Sequence, residues 1–147
     1  MVFLDSDLFV RHLRYPHDVH REINEKFLDR VKGRKIRAAT SIYNVLEVCG
    51  VLSFNYTHED LLKLYSDFPS HFGVKILISL NSSGIFEYEF ASVFGQIQKK
   101  QALGDAQISS VIEKFQDHLS GCVSWNARHF EGKLSVPVMT PEEFLKK

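Results

Sequence analysis

The stretch Val2-Phe3-Leu4-Asp5-Ser6-Asp7 opens the chain and decides its fold class. Three consecutive apolar residues without alternation are typical of a short strand that is buried on both faces, as in the middle of a parallel sheet. Asp5 then falls at the carboxyl end of that strand. Ser6 and Asp7 are good helix-capping residues, so we expect a helix to begin there and to end near the Tyr15-Pro16 bond.

Helix and strand patterns alternate along the rest of the chain. Further helices are predicted over 19–31, from Thr40 or Ser41 to Leu52, from Thr57 to Pro69, over 85–102 and from Asp105 to Phe115, and further strands over 35–39, 74–80, 121–125 and 136–139, followed by a short helical turn capped at Thr140. The Phe- and Ile-rich segment 85–102 is interpreted as part of the core. Such alternation implies an α/β fold with a mostly parallel sheet and helices on both faces.

The 147 residues suit a single domain, 1–147, because neither an internal repeat nor a low-complexity linker interrupts the pattern. The 18 Lys and Arg residues are balanced by 18 Asp and Glu residues, so nucleic-acid binding would depend on a local patch. Two basic stretches, Arg30 to Arg37 and Lys99-Lys100, are candidates, although such runs are more often solvated faces.

Cysteine and hydropathy patterns indicate an intracellular protein. Cys49 and Cys122 lie in separate apolar stretches without metal-binding spacing, so we expect buried free thiols. The pair His17 and His20 lacks a third zinc ligand nearby. No basic-then-apolar leader opens the sequence, and no apolar run approaches the ~18 residues of a membrane span. We therefore expect a cytoplasmic location without membrane association.

Acidic and amide residues recur where the predicted strands end. Ligands bind beyond the carboxyl ends of parallel strands, so Asp5, Asp105 and Asn126 are expected to converge on one pocket. Each has a simpler interpretation: Asp5 or Asp105 could only cap a helix, and Asp7 is more typical of a cap than of a ligand. Glu47 lies among apolar residues of a helix, where an unpaired carboxylate is costly to bury.

Five segments of the chain resemble, in order, the motifs of the PIN-domain family. They are Val2 to Asp7, Thr40-Ser41-Ile42-Tyr43-Asn44-Val45-Leu46-Glu47, Leu103-Gly104-Asp105-Ala106, Ser124-Trp125-Asn126-Ala127-Arg128-His129-Phe130, and the ending from Val136 to Leu145. The resemblance implies a three-layer α/β/α nuclease that cleaves RNA, commonly a VapC-type toxin. It also implies a homodimer, a cognate antitoxin and dependence on Mg²⁺ or Mn²⁺.

The resemblance assigns roles to individual residues. Asp5, Glu47 and Asp105 match the first three metal-binding acids of the family, and Ser6, Asp7 and Ser124 are expected to orient them. Clustered carboxylates suit hard divalent cations, which take oxygen ligands, relieve the repulsion among the acids and assist phosphodiester hydrolysis. The pocket is expected to have a negative floor and a basic rim.

The fourth motif departs from the family, because Asn126 stands where an aspartate is common. An amide keeps a ligand oxygen but removes a negative charge, so we expect a weakened catalytic site in which Asn126 is a poorer ligand. Two alternatives remain open. The chain could be a catalytically attenuated PIN fold that binds RNA or protein, or an unrelated doubly wound domain that accepts phosphate on clustered acids.

Overall fold

Five parallel strands form the middle layer of the protein, whose computed structural model describes residues 1–147. In chain order they are β1 (Val2–Leu4), β2 (Ala38–Ser41), β3 (Val74–Leu77), β4 (Gly121–Val123) and β5 (Val138–Met139). They lie side by side in the order β3-β2-β1-β4-β5, with Val2 opposite both Ala38 and Gly121. The opening strand is therefore central, as its uninterrupted apolar sequence predicts.

Seven α-helices connect and cover the strands. They are α1 (Ser6–Arg14), α2 (Arg21–Lys32), α3 (Ile42–Leu52), α4 (His58–Phe72), α5 (Phe90–Gln98), α6 (Leu103–Lys114) and α7 (Pro141–Leu145), with single 3-10 turns at Gln116–His118 and Ala127–His129. None of these helices is long and apolar enough to cross a membrane.

Two apolar cores lie on opposite faces of the sheet. Val2 and Leu4 point into the core that contains Phe9, Phe27 and Phe68, whereas Phe3 points into the core around Ile112. This alternation follows from the pleat of a strand, in which successive side chains face opposite sides. The arrangement confirms the predicted three-layer α/β/α fold. Cys49 and Cys122 are buried free thiols, as expected.

Several predicted boundaries are wrong for local physical reasons. The N-cap of α1 is Asp5, the alternative left open by the sequence, rather than Ser6 or Asp7, because the Asp5 side chain accepts the Ser6 N–H. Helix α2 starts at Arg21, which leaves Val19 outside it and 90% exposed. The second strand covers 38–41 instead of 35–39. Pro69 does not end α4, which continues to a left-handed Gly73 with φ of 69°.

The segment from Val74 to Asp105 differs most from its prediction. The third strand stops at Leu77, and a turn at Asn81 brings Leu80 into a single antiparallel bridge with Phe86. Only 90–98 of the predicted helix 85–102 is helical. Helix α6 begins at Leu103 with Ala102 as its N-cap, so Asp105 lies in the first turn and is not a cap. The last two strands cover only 121–123 and 138–139.

Candidate functional site

Asp5 occupies the centre of the site because it follows the central strand. Its N–H extends the sheet by donating to the carbonyl of Val123 at 3.1 Å. The side chain is 7% exposed and accepts three hydrogen bonds. Its Oδ1 accepts from the Ser6 N–H at 2.8 Å and from Asn44 Nδ2 at 3.2 Å, and its Oδ2 accepts from Ser124 Oγ at 2.8 Å. Asp5 thus both caps α1 and belongs to an acidic cluster.

Asp7 lies beside Asp5 and shares a donor with it. Its Oδ2 accepts from Ser124 Oγ at 3.1 Å and from the Asn126 N–H at 2.9 Å. Its Oδ1 is buried and has no hydrogen-bond partner. A buried carboxylate oxygen without a donor is costly unless a cation or a proton compensates it.

Glu47 joins the cluster through the start of α3. Ser41, the last residue of β2, caps α3 in a reciprocal capping box with Asn44. The Asn44 amide also donates to Ser6 Oγ at 2.8 Å, and Ser6 Oγ in turn donates to Glu47 Oε2. The ends of β1, β2 and β4 therefore bring Asp5, Ser6, Asp7, Glu47 and Ser124 into one hydrogen-bonded network.

Burial and mutual repulsion hold protons on this network. Burial is the main cause that raises the pKa of Asp5 from 3.8 to about 8, with Asp7 adding to it and the bonds from Ser124 and Ser6 opposing it. Burial also raises the pKa of Asp7, against the hydrogen bonds from Asn126 and Ser124. The two carboxyls titrate as a pair, and the pair retains a proton near neutral pH unless a cation replaces it.

Asp105 and Asn126 lie in surroundings that differ from those predicted for them. Asp105 lies outside the network, and its Oδ2 is 3.7 Å from His129 Nδ1. Asn126 joins the network through its backbone N–H, which donates to Asp7 and Ser124, while the residue itself is exposed. Among all His, Cys, Asp and Glu side chains, no group of three or more is arranged to hold a metal ion.

The chemistry of the donors fits a divalent cation in part. Asp5 and Asp7 offer only oxygen atoms, and Asp7 Oδ1 is free to accept a ligand. Mg²⁺ commonly binds one or two carboxylates and completes its octahedron with water, so a two-carboxylate centre is sufficient. Glu47, which is solvent-exposed and bonded to Ser6, lies at the margin of that centre.

A cavity of about 680 Å³ borders the network at Asn126. Arg128 and His129 line it, but so do Glu131 and Glu143, so its rim carries both signs of charge instead of the expected basic one. The basic run from Arg30 to Arg37 also lies next to acidic residues. Arg30 and Lys35 share a surface groove with the acidic residues Glu22, Glu25 and Asp29.

Two structural asparagines were not anticipated from the sequence. Asn44 could have been identified from the spacing Ser41-x-x-Asn44, which is a capping pattern. Asn24 is 1% exposed on α2; its Nδ2 donates to the Leu8 carbonyl at 2.9 Å, and its Oδ1 accepts from Trp125 Nε1 at 2.8 Å. His20 stacks on the same indole at 4.2 Å between ring centres, which gives that histidine a packing role.

Comparison with known proteins finds likeness in structure alone. No family model matches the chain, and no curated protein matches it in sequence. The crystal structure of FitAcB from Neisseria gonorrhoeae is similar, with a TM-score of 0.63 and 16% identity, over 97% of this chain and 99% of that one. FitAB bound to an IR36 DNA fragment is similar with a TM-score of 0.61 and 16% identity, over 96% and 95%. The likeness extends over the whole chain, which therefore has the PIN-like α/β/α fold.

Proposed function

We propose that the protein is an endoribonuclease of the PIN type that depends on Mg²⁺ or Mn²⁺. The observation that supports this most strongly is the pair of buried Asp5 and half-buried Asp7 at the carboxyl end of the central strand, with one buried Asp7 oxygen free of any partner. A structural pair of buried acids would be expected to have all its oxygens satisfied. An unsatisfied oxygen beside a second carboxylate suits a cation.

In such a site each of the neighbouring side chains has a separate function. Asp5 and Asp7 hold the cation, and Ser124 fixes their relative orientation because its single hydroxyl proton is shared between the two carboxylates. Ser6 and Asn44 fix Glu47 at the margin. The cation, when bound, supplies Lewis-acid stabilisation of the phosphodiester during hydrolysis. The adjoining cavity beside Asn126 is the proposed position of the RNA strand.

Asp105 and Asn126 complete the proposed site. The contact between Asp105 and His129 is long, at 3.7 Å, and the Asp105 side chain is 33% exposed, so this weak pair leaves the carboxylate available as a further ligand. Asn126 contributes an uncharged oxygen in place of a fourth acid. We expect Asn126→Asp to increase affinity for Mn²⁺, and a titration that finds unchanged affinity would remove Asn126 from the ligand set.

Partners follow from the same proposal. FitAB, which shares the fold, is known bound to a DNA fragment. For the present chain we propose a VapC-like toxin role, which entails a cognate antitoxin protein, a homodimeric state and a cytoplasmic location. Co-purification with the product of a neighbouring short reading frame is the direct measurement of the antitoxin partnership.

Cleavage of a mixed RNA pool tests the enzymatic proposal. The unaltered protein is expected to cut RNA with Mn²⁺ or Mg²⁺ and to stop in the presence of a chelator. Asp5→Asn should reduce the rate at least about a hundredfold, because it removes a charged ligand. Asp117→Asn is the matched control, since Asp117 is exposed and lies before β4, at the opposite end of the sheet. Cutting that survives Asp5→Asn contradicts the proposal.

A second candidate is a PIN fold that binds RNA or protein without cleaving. Asn126 in place of an acid favours it, as does the lack of a preformed group of three ligands. The same assay distinguishes the two functions when paired with a gel-shift measurement. Binding to RNA without metal-dependent products would support this candidate.

A further inference from the structure

A cleft of about 300 Å³ opens at the end of α1 and extends to the acidic pair. Three residues of one helix face and two residues that follow the helix line it: Asp7, Val10, Arg11, Tyr15 and Asp18. None of them lines the cavity beside Asn126, so the cleft is a separate opening next to the proposed cation centre. Its volume lies at the small end for ligand sites, which suits one planar ring system.

Pro16 determines how the chain closes this cleft. A residue before proline is disfavoured in the helical conformation, and Tyr15 accordingly ends α1 with φ of −114° and ψ of 80°. The chain then turns, and the Asp18 N–H donates to the Tyr15 carbonyl at 3.2 Å. Asp18 Oδ2 accepts from Arg11 Nη1 at 2.5 Å, and its Oδ1 accepts from the His20 N–H at 2.8 Å. The turn is therefore fixed against α1.

Tyr15 presents an aromatic ring at the edge of the cleft. The residue is 48% exposed. Arg14 holds the ring in place, because its guanidinium lies 5.9 Å from the ring centre and its Nη1 donates to the Val51 carbonyl at 3.1 Å. One guanidinium covers only one face of a ring, so the other face can receive a second planar group. A held, exposed ring of this kind is a stacking surface.

The charges of the cleft oppose a phosphate and suit a nucleobase. Asp7 and Asp18 are acidic, and Arg11 is the one basic residue among the lining side chains. A nucleobase is planar and uncharged, and its edge carries both donors and acceptors. Arg11 donates within the chain through Nη1 alone, so its other N–H groups remain beside the Asp18 carboxylate. An aromatic side chain of a protein would cover these polar groups without matching them.

The cleft and the cavity beside Asn126 adjoin the acidic pair through neighbouring residues. Asp7 lines the cleft, Asn126 lines the cavity, and the Asn126 N–H donates to Asp7 Oδ2 at 2.9 Å. Trp125 also lines the cavity, and the Arg11 guanidinium lies 5.9 Å from its ring centre. A strand of RNA that runs from the cavity to the cleft must therefore pass the acidic pair.

We propose that this cleft is a nucleobase subsite of the RNA-cleaving site. Tyr15 stacks on the base next to the cleaved phosphate, and the pair of Arg11 and Asp18 binds the edge of that base. The inference rests on the ribonuclease function proposed above and adds to it a substrate-binding residue. Every base has a face that can stack, so the ring supplies affinity, whereas Arg11 and Asp18 set the preference among bases.

Binding of a fluorescein-labelled single-stranded RNA hexanucleotide, measured by anisotropy in chelator, tests the stacking surface without cleavage. Tyr15→Leu should bind the RNA about tenfold more weakly, because a base loses its aromatic partner. Tyr15→Phe keeps the ring and should restore the affinity. Tyr65→Leu is the matched control, since Tyr65 is 47% exposed on α4 and should leave binding unaltered. Equal affinities of Tyr15→Leu and the unaltered protein would overturn the subsite.

Removal of single bases tests whether the group that stacks is a nucleobase. Hexanucleotides that each lack one base are compared with the complete hexanucleotide. The unaltered protein should bind about tenfold more weakly when one particular base is missing, and Tyr15→Leu should lose nothing further at that position. Additive losses in Tyr15→Leu would mean that Tyr15 and the base act independently, which contradicts the proposed stacking.

Cleavage with Mn²⁺ separates this inference from the proposed function. Tyr15→Leu should raise KM about tenfold and change kcat by less than about twofold, because stacking holds the ground state and the transition state alike. Cutting with an unaltered KM would overturn the subsite and leave the nuclease in place. RNA binding that depends on Tyr15 without any cutting would support the subsite and contradict the nuclease. An unaltered protein that binds no RNA would overturn both.

Discussion

Asp7 is the residue whose surroundings are least complete. One of its oxygens accepts two hydrogen bonds, and the other is buried without any. It lies next to Asp5, whose own oxygens are all engaged. A negative charge held in this way destabilises the protein when no cation is present and strengthens the hold on a cation when one is.

We predict opposite effects of Asp7→Asn on stability and on metal binding. Without metal, the free energy of unfolding of the variant should exceed that of the unaltered protein by about 1 kcal/mol, because an uncompensated charge beside Asp5 is removed. With Mn²⁺, the variant should have an apparent affinity for the metal at least tenfold lower than that of the unaltered protein, as obtained from the stabilisation that the metal gives. Thermal unfolding with chelator and with graded Mn²⁺ measures both.

Asp67→Asn provides the comparison for Asp7→Asn, because Asp67 is an exposed residue of α4. It should change neither the metal-free stability nor the response to Mn²⁺. If Asp7→Asn destabilises the metal-free chain while Mn²⁺ still stabilises it fully, then Asp7 serves packing and the cation is held elsewhere.

Asn24 is the polar link between three elements. It connects α2 to the Leu8 carbonyl of α1 and to Trp125 after β4. Asn24→Ala leaves the indole N–H unpaired and removes the side-chain hydrogen bond to the Leu8 carbonyl, and we expect a loss of about 2 kcal/mol. Trp125 is the single tryptophan of the chain, so its fluorescence should shift in the folded state. Asn55→Ala, at an exposed residue, should change neither the stability nor the Trp125 fluorescence. An equal loss of stability in the two variants would contradict the role assigned to Asn24.

Gly73 controls how α4 ends against α2. Its φ is 69°, and an added Cβ would lie 2.9 Å from the Cα of Lys32. Gly73→Ala should therefore cost roughly 2 kcal/mol or more in urea unfolding, since both backbone strain and a backbone clash oppose it. Gly50→Ala in α3 should instead stabilise by up to about 1 kcal/mol, because nothing lies within 4 Å of its added Cβ. A neutral Gly73→Ala would mean that the α2 and α4 ends move apart freely.

The elements that the sequence predicts well are those whose local pattern and tertiary surroundings agree. β1 and the caps of α3, α4 and α7 were predicted correctly, because apolar runs and capping spacings act over a few residues. The helix predicted over 85–102 was wrong over about half of its length, since only 90–98 is helical. Its aromatic spacing is helical, but periodicity defines a face without saying whether that face is buried, and Phe90 and Phe94 are 77% and 60% exposed.

The same reasoning explains the prediction of the site. Asp5 was placed correctly at the end of β1, because a strand end can be read from the sequence. The sharing of the Ser124 hydroxyl by Asp5 and Asp7 and the backbone role of Asn126 could not be foreseen, since they depend on how β1 and β4 align. Whether Asp105 shares a cation with Asp5 remains a prediction.

At the scale of the whole molecule, the acidic pair links stability to pH. Asp5 has a folded-state pKa above its ordinary value, so the folded state retains a proton that the unfolded state releases. Its contribution to stability is complete below pH 3.8 and decreases as pH rises towards 8. The burial of Asp7 acts in the same direction.

We therefore predict that the metal-free protein loses stability between pH 5 and pH 8 more steeply than Asp5→Asn does, by up to about 1 kcal/mol per pH unit. Urea unfolding in chelator across this range measures the difference. Excess Mn²⁺ should flatten the profile of the unaltered protein. Parallel profiles for the two proteins would contradict the link between Asp5 and pH.

The central position of β1 has a consequence for the order in which the protein is made. Its two neighbours are β2, which follows at Ala38, and β4, which follows only at Gly121. Asp5 and Asp7 are synthesised well before Ser124 and Asn126, from which they are separated by 117 to 119 positions along the chain. During synthesis the acids stay open to water and separate from their donors. The hydrogen-bonded acidic network is thus complete only after β4 and Asn126 have been made.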